Sequence, residues 1–329
     1  MQSRIAHLSD LHVLDLAGTS PLRFLNKRAT GVINLLSARR DAHPVRIAEA
    51  LPAALGPAGL DVDHVLITGD LSNLALPSEF HRARAIVRAI GGPDRVTVIP
   101  GNHDVYTAGA MKTARFESYF ADWMVDLPAL PAAIEAARSA GRAHYPFGKT
   151  IAPGVRVYGL SSAIMAPPLI AWGELGAPQL AKLRALVAQE PRGTDAGAPD
   201  AAIHTRIVMV HHNLHPRSGV AERTARLRDR DALITTLRDI GATALLHGHT
   251  HPPQQHRLVG ESPTWVLGCG SSTWFQADYG HLAHFNVLTF DDEAGLVAAQ
   301  AYVWSEAAGQ FVADRDDLLR RAAASAPLG

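Results

Sequence analysis

The stretch Val98-Ile99-Pro100-Gly101-Asn102-His103-Asp104 carries a short apolar run into a glycine and then into three side chains able to hold a cation or move a proton. A branched apolar run that breaks off into polar residues reads as a buried strand followed by a loop. The same order recurs in Leu66-Ile67-Thr68-Gly69-Asp70, in Val208-Met209-Val210-His211-His212, and in Leu245-Leu246-His247-Gly248-His249-Thr250-His251. Near the N-terminus, Arg4 to Leu8 leads to Asp10 and His12. Ligands of α/β sheets collect at the carboxyl ends of the strands, so these separate pieces are expected to meet on one rim.

Working outward, strands are expected over Arg4 to Leu8, Val62 to Thr68, Arg95 to Ile99, Val155 to Leu160, Arg206 to Val210 and Ala242 to Leu246. Segments of helical period lie between several of them: Ser78 to Ile90, opened by Pro77-Ser78-Glu79, then Gln179 to Gln189 and Arg230 to Ile240. Thr264 to Leu267, Phe285 to Phe290 and Ala298 to Trp304 follow without a long helix between them and predict a C-terminal meander. The fold class is α/β: a four-layer α-β-β-α sandwich with two mixed sheets enclosed by helices. One domain is expected over 1–310, with a helix or tail over 311–329, and with lid insertions at 13–44 and 106–145. Pro191 to Asp200 reads as a solvated loop.

The 329 residues are 47% hydrophobic, enough to bury a full core. Lys plus Arg and Asp plus Glu balance at 31 each, which provides no overall attraction to a nucleic-acid backbone. The single cysteine, Cys269, cannot form an internal disulfide, and its apolar setting reads as a buried thiol. No apolar stretch approaches the roughly 20 residues of a membrane span, and no signal-peptide pattern opens the chain, so a cytoplasmic location is expected. Histidine is unusually frequent at 17 copies. Side chains at i and i+2 of an extended chain point the same way, so Asp10 and His12 can share one ion, while His249 and His251 reach neighbouring ions if the chain bends between them. His43, His64, His81, His144, His204 and His256 belong to no motif; His215 and His247 lie near one and are left outside the catalytic set.

Asp10-Leu11-His12, Gly69-Asp70, Gly101-Asn102-His103-Asp104, His211 and Gly248-His249-Thr250-His251, in this order, resemble the calcineurin-like metallophosphoesterase family. The resemblance runs from residue 5 to about 290. It implies two bound transition-metal ions, manganese, iron, zinc or cobalt, with Asp10, His12, Asp70 and His251 on one and Asp70, Asn102, His211 and His249 on the other. Asp70 would bridge them, and His212 is the alternative to His211. The resemblance further implies a bridging hydroxide that attacks phosphorus. The two dications, set against two carboxylates and that hydroxide, leave about one net positive charge to attract a phosphate ester. His103 is expected to give a hydrogen bond or proton to the reacting phosphate or leaving group, with Asp104 holding its ring; the bland reading of Asp104 is a turn cap. Purple acid phosphatases of the same core carry a tyrosine ligand three residues after the bridging Asp; Asn73 stands there in this chain, so no tyrosinate-to-iron colour is expected.

Within that family the chain is most similar to bacterial cyclic-nucleotide and glycerophosphodiester phosphodiesterases, which makes a small phosphodiester the expected substrate. Phosphomonoesterase and nucleotide-sugar-lipid pyrophosphatase activity on the same site are the alternatives, and an inactive scaffold of the same fold is the alternative of another class. No nucleic-acid partner is expected, and oligomeric state is left open. The segment Pro21-Leu22-Arg23-Phe24-Leu25-Asn26-Lys27-Arg28 to Arg39-Arg40 reads either as a lid or as an amphipathic helix packed on the sandwich. Phe116, Tyr119, Phe120 and Trp123 recur at helical spacing and read as core.

Overall fold

Two six-stranded mixed sheets stack face to face in a computed structural model that describes residues 1–20, 42–105, 107–126, 131–190, 202–260, 263–276 and 282–328. The first sheet holds β1 (Gln2–Leu8), β2 (His64–Ile67), β3 (Val96–Val98), β10 (His284–Asp291), β11 (Gly295–Ser305) and β12 (Gln310–Asp317), in the order β12-β11-β10-β1-β2-β3. The second holds β4 (Phe147–Ala152), β5 (Val155–Gly159), β6 (Thr205–Met209), β7 (Ala244–His247), β8 (Gln254–Leu258) and β9 (Thr264–Gly268), in the order β4-β5-β6-β7-β9-β8. β1, β2 and β3 run parallel, as do β5, β6, β7 and β9, so their carboxyl ends share one edge of each sheet.

The uninterrupted apolar runs follow from this stacking. In β6, Ile207 and Met209 enter the cluster between the sheets, whereas Val208 and the following Val210 enter the cluster beneath the outer helices. Alternate side chains of a strand point to opposite faces, and here both faces are dry, so the sequence shows no polar alternation. α6 (Ala177–Ala188) and α8 (Arg230–Asp239), separated in the chain by the short α7 (Gly219–Ala225), cover that outer face with Leu180, Leu183, Leu233 and Leu237. On the other side, α1 (Val45–Leu55) and α2 (Pro77–Ile90) contribute Leu51, Leu55, Phe80, Ala83 and Val87 to the main core. The α2 start is set by Pro77 at its first position and by Glu79, whose Oε2 accepts from Leu74 N at 2.8 Å and Leu76 N at 3.0 Å. The four layers match the expected sandwich.

Two details differ from expectation. Thr264 to Leu267 does not join the meander: β9 inserts between β7 and β8 of the second sheet, and the meander is β10-β11-β12. Residues 311–329 are not only helix or tail, since β12 runs through 317 before α9 (Leu318–Ala324) begins. Most of the expected first insertion, 21–41, lies outside the described residues, and so does the basic-apolar segment from Pro21 to Arg40. In the second insertion, α3 (Ala108–Lys112), α4 (Arg115–Phe120) and α5 (Pro131–Ala140) precede β4. Phe116, Phe120 and Trp123 are buried, Phe116 and Phe120 pack against Phe80, and Trp123 Nε1 donates to Gly91 O at 3.1 Å. Cys269 is buried too, and burial pushes its thiol up to about 12.

Candidate metal centre

Past Leu8 the backbone continues to pair with the β2 loop: Gly69 O accepts from Asp10 N at 3.0 Å and Asp70 O from His12 N at 2.9 Å. Asp10 (φ 53°), His12 (φ 44°), Asp70 (φ 52°), His249 (φ 70°) and His251 (φ 62°) all occupy the left-handed region. Such a backbone costs about 1 kcal/mol or more for a residue with a side chain, and its concentration here points to a functional requirement. Asp10 and His12 therefore converge through left-handed turns and not through the extended alternation expected from sequence. The same device splits His249 from His251, which face different neighbours.

Two groups of donor atoms result. In one, His12 Nε2 and His251 Nε2 lie 3.2 Å apart and each is 3.6 Å from Asp10 Oδ1. In the other, Asn102 Oδ1 lies 3.1 Å from His211 Nε2 and 3.0 Å from His249 Nδ1. Asp70 Oδ2 stands between them, 3.8 Å from His12 Nε2 and 3.3 Å from His211 Nε2. All seven ligands expected from sequence thus come together. The metal-like groupings Asp10/His12/His251, His12/Asp70/His103 and Asp10/Asp70/His211 overlap in the same way.

The supporting bonds fix which atom each ligand offers. His211 Nδ1 donates to Thr68 O at 2.8 Å, which turns Nε2 toward Asp70. His249 Nε2 donates to Ala225 O at 2.9 Å, which turns Nδ1 toward Asn102. Backbone carbonyls commonly orient metal-binding imidazoles in this manner. His212 has both ring nitrogens engaged elsewhere, Nδ1 with Ser162 Oγ at 2.8 Å and Nε2 with Ala171 O at 3.1 Å, so His211 is the histidine of this loop that faces the cluster. Asp70 Oδ1 accepts from His103 N at 2.8 Å, and Asp10 Oδ2 from His249 N at 2.9 Å.

Asp104 departs from expectation. Its Oδ1 accepts from Ser72 N and Ser72 Oγ, both at 2.8 Å, and its Oδ2 from Gly101 N at 2.9 Å and Leu71 N at 3.2 Å. This carboxylate ties the β2 and β3 loops together, and the ring of His103 is held instead by Asn73 O, 2.6 Å from its Nδ1. Adjacent residues at a tight turn point apart, which is why neighbouring sequence positions misled. Burial, then the charge of Asp70, push the Asp104 carboxyl up to about 6.

Sequence reasoning also passed over residues that shape the site. His43, which belongs to no motif, lies with its ring 4.6 Å from that of His12 and its Nδ1 2.9 Å from Thr273 Oγ1. Thr273 Oγ1 donates to Leu11 O at 2.8 Å and Ser271 Oγ to Asp10 O at 2.7 Å, so the hydroxyls of Ser271-Ser272-Thr273 brace the first ligand loop. Their signal was a small-polar cluster directly after β9. His215 stacks on His256 at 5.0 Å, and His247 Nδ1 bonds Gly248 O at 3.1 Å. Gly248 allows close approach: a Cβ there would stand 1.8 Å from Ser9 Oγ and 2.2 Å from Asp10 Oδ2.

The donor set fits cations. Asp10 Oδ1 is buried without a hydrogen-bond partner, yet it faces two imidazole nitrogens. Burial opposes charge on Asp70, but the positive field of His211 and then His103 holds its carboxyl well below the usual range; against the same burial, Asp70 raises His211 to about 9. A proton on His211 and a metal ion would occupy the same electrostatic role.

The family model for calcineurin-like phosphoesterases matches residues 3–253, a span that contains all seven candidate ligands. A 50-residue segment is 44% identical to UDP-2,3-diacylglucosamine hydrolase of Sodalis glossinidius (strain morsitans); it makes up 15% of this chain and 21% of that protein. Among solved structures, purple acid phosphatase PPD1 from yellow lupin (Lupinus luteus) seeds superposes with a TM-score of 0.56 at 14% identity, covering 100% of this chain and 57% of the lupin chain. A dimetal phosphatase from Danio rerio gives a TM-score of 0.49 at 13% identity, over 92% of this chain and 99% of that one. The chain thus spans just over half of the lupin protein, and likeness at this identity is one of fold. Among the described residues, no helix is long and apolar enough to cross a membrane.

Proposed function

The chain belongs to the calcineurin-like phosphoesterase family, and from that premise we propose that it hydrolyses phosphodiesters at a centre of two transition-metal ions drawn from manganese, iron, zinc and cobalt. Asp10, His12, Asp70 and His251 would hold one ion, and Asp70, Asn102, His211 and His249 the other. The observation that carries this reading is the shared carboxylate: Asp70 Oδ2 faces His211 Nε2 on one side and His12 Nε2 on the other. When bound, the metal pair supplies Lewis-acid charge for phosphoryl oxygens and an activated water.

The remaining work belongs to the protein. Asp10 and Asp70 limit the positive charge so that a phosphate anion binds without being trapped. Thr68, Ala225 and Asn73 carbonyls lock His211, His249 and His103 in one orientation each, which removes reorganisation at the moment of reaction. His103, through Nε2, gives a hydrogen bond or proton to the departing oxygen. Asn73 stands where purple acid phosphatases carry a tyrosine, and the bond it makes to His103 is through its backbone carbonyl, which does not depend on the side chain.

Bacterial cyclic-nucleotide and glycerophosphodiester phosphodiesterases supply the first substrates to try. A second reading, cleavage of a nucleotide-linked lipid, is favoured by the segment resembling UDP-2,3-diacylglucosamine hydrolase. Exposed Met165, Leu169 and Val220 add to it, because Ala171 and Ala225 beside them bond His212 and His249. The test compares bis-p-nitrophenyl phosphate with p-nitrophenyl phosphate after metal reconstitution, with a chelator control. Diester preference upholds the proposal; monoester preference reassigns the protein as a phosphatase, and metal-replete inactivity toward both supports a scaffold.

A further inference from the structure

Ala163-Ile164-Met165-Ala166-Pro167-Pro168-Leu169-Ile170-Ala171-Trp172 follows β5 and contains no charged residue; its one side-chain N–H or O–H is the indole of Trp172. Such a run is ordinary in a core strand, but here it forms a loop at the surface, where polar residues are the rule. Ala163 pairs with Gly173 in an antiparallel bridge and Glu174 N donates to Ser162 O at 2.9 Å, so residues 164–172 project as a closed loop. Met165 is 56% exposed and Leu169 74%, with Pro167 and Pro168 exposed between them. Leu169 also holds a left-handed backbone at φ 65°, which disfavours a bulky side chain. Folding gains from leucine by taking its surface out of water, and at this position that surface is left wet.

The loop is fastened along its length. Ala171 N donates to Thr224 O at 2.7 Å, Gly173 N to Arg226 O at 3.0 Å and Trp172 Nε1 to Arg223 O at 2.6 Å. These bonds tie it to α7, which buries no side chain and exposes Val220. Ala171 O and Ala225 O in turn accept from His212 Nε2 and His249 Nε2, so this apolar edge adjoins the candidate metal centre. Charge along the edge is one-sided. Residues 217–228 carry Arg217, Arg223, Arg226 and Arg228, and the nearby acids are engaged: Glu174 with Arg228 at 2.7 Å, and Glu222 with Arg230 at 2.9 Å and Arg217 N at 2.8 Å. Arg223 and Arg226 are exposed and have no acidic partner among the described residues.

We propose that this edge docks on an anionic lipid surface: Met165 and Leu169 enter the boundary between headgroups and acyl chains while Arg223 and Arg226 meet the lipid phosphates. A shallow apolar projection, an indole beside it and basic side chains around it are the parts of an interfacial anchor. A second copy of the chain is the poorer occupant. A two-fold contact centred here would set Arg223 and Arg226 against the same arginines, with no free carboxylate of these segments between them. The docking holds whichever ester the centre cleaves, and it requires no membrane-spanning segment.

The test mixes the full chain with vesicles of phosphatidylcholine alone or with vesicles that also contain phosphatidylglycerol, and reads the bound fraction by sedimentation. Binding is expected to favour the phosphatidylglycerol vesicles and to fall as salt rises. Arg223→Gln together with Arg226→Gln is expected to weaken it roughly thirtyfold, from about fivefold per arginine. Met165→Gln together with Leu169→Asn is expected to weaken it about a hundredfold. Asparagine tolerates the left-handed backbone at 169, and circular dichroism checks that the fold is kept; should it not be, the arginine variant decides. Equal binding by wild type and the Met165/Leu169 variant, or equal binding to the two kinds of vesicle, overturns the proposal. So does a wild-type dimer in analytical ultracentrifugation that ignores vesicles and that the same variant makes monomeric, which assigns the edge to a second copy.

Discussion

Replacing Gly248 by alanine isolates the geometry of the candidate centre from its composition. Gly248 does not have a positive φ, so alanine meets no backbone penalty there; the obstacle is the 2.2 Å between the new Cβ and Asp10 Oδ2 and the 1.8 Å to Ser9 Oγ. Since real Cβ contacts do not fall below 3.0 Å, Asp10 Oδ2 must retreat by about 0.8 Å, and Ser9 Oγ by more. That movement breaks the bond from His249 N to Asp10 Oδ2 and pulls Oδ1 away from His12 and His251. Productive sites tolerate about 0.5 Å, and a misplacement near 1 Å costs on the order of a hundredfold. Gly248→Ala is therefore expected to lower kcat/KM for bis-p-nitrophenyl phosphate about a hundredfold and to weaken metal retention, with the circular-dichroism spectrum unchanged. Gly18→Ala serves as control: at φ +65° with nothing within 4 Å, it is expected to lose about 1 kcal/mol of stability and no activity. Gly248→Ala activity within twofold of wild type would refute the argument that Asp10 is held in place by close approach.

Three further outcomes follow from named contacts. His211→Ala is expected to lose metal measured by inductively coupled plasma mass spectrometry, whereas His212→Asn, altering a ring bonded to Ser162 and Ala171, keeps it; the reverse pattern would exchange their roles. Asp104→Asn replaces an acceptor facing four donors and is expected to lose roughly 2 kcal/mol of stability in urea titration without changing the shape of the kcat–pH profile, and a changed shape would restore a catalytic role. Lys149 is 2% exposed, and burial lowers its ammonium from 10.5 to about 8, although Pro93 O and Val96 O accept from it at 2.5 and 2.9 Å. Below pH 8 both folded and unfolded chains carry that charge and the fold bears the full penalty; between pH 8 and 10.5 the unfolded chain binds the proton more, and the penalty disappears as pH rises. Wild type is expected to gain on the order of 3 kcal/mol relative to Lys149→Met across that window in urea unfolding; parallel pH profiles would show that Lys149 is not desolvated.

The sequence disclosed the central strands because each is dry on both faces and reads as an unbroken apolar run, as Ile207 to Val210 does. It did not disclose β4, β8 or β12, and these three are edge strands. Segments such as Gln254-Gln255-His256-Arg257-Leu258 bury only Gln255 and Leu258, three positions apart, and carry polar residues between them, so no strand period shows. The ligand motifs were legible because strand ends bring them together regardless of loop detail. What resisted reading was contact through space: His43 reaches His12 from a separate loop, and Asp104 turns away from the adjacent His103 to hold Ser72. Neither direction is encoded by spacing along the chain, and the residue types at 10, 12 and 70 do not announce the left-handed turns that aim those ligands.

The central claim is that one carboxylate, Asp70, joins two metal positions. It is tested most directly by measuring bound metal per chain and diester turnover in Asp70→Ala alongside His103→Ala. The account predicts that Asp70→Ala loses metal and activity together, while His103→Ala retains two ions and loses turnover by about a hundredfold or more. Asp70→Ala protein that keeps two ions per chain and hydrolyses bis-p-nitrophenyl phosphate at the wild-type rate would contradict it.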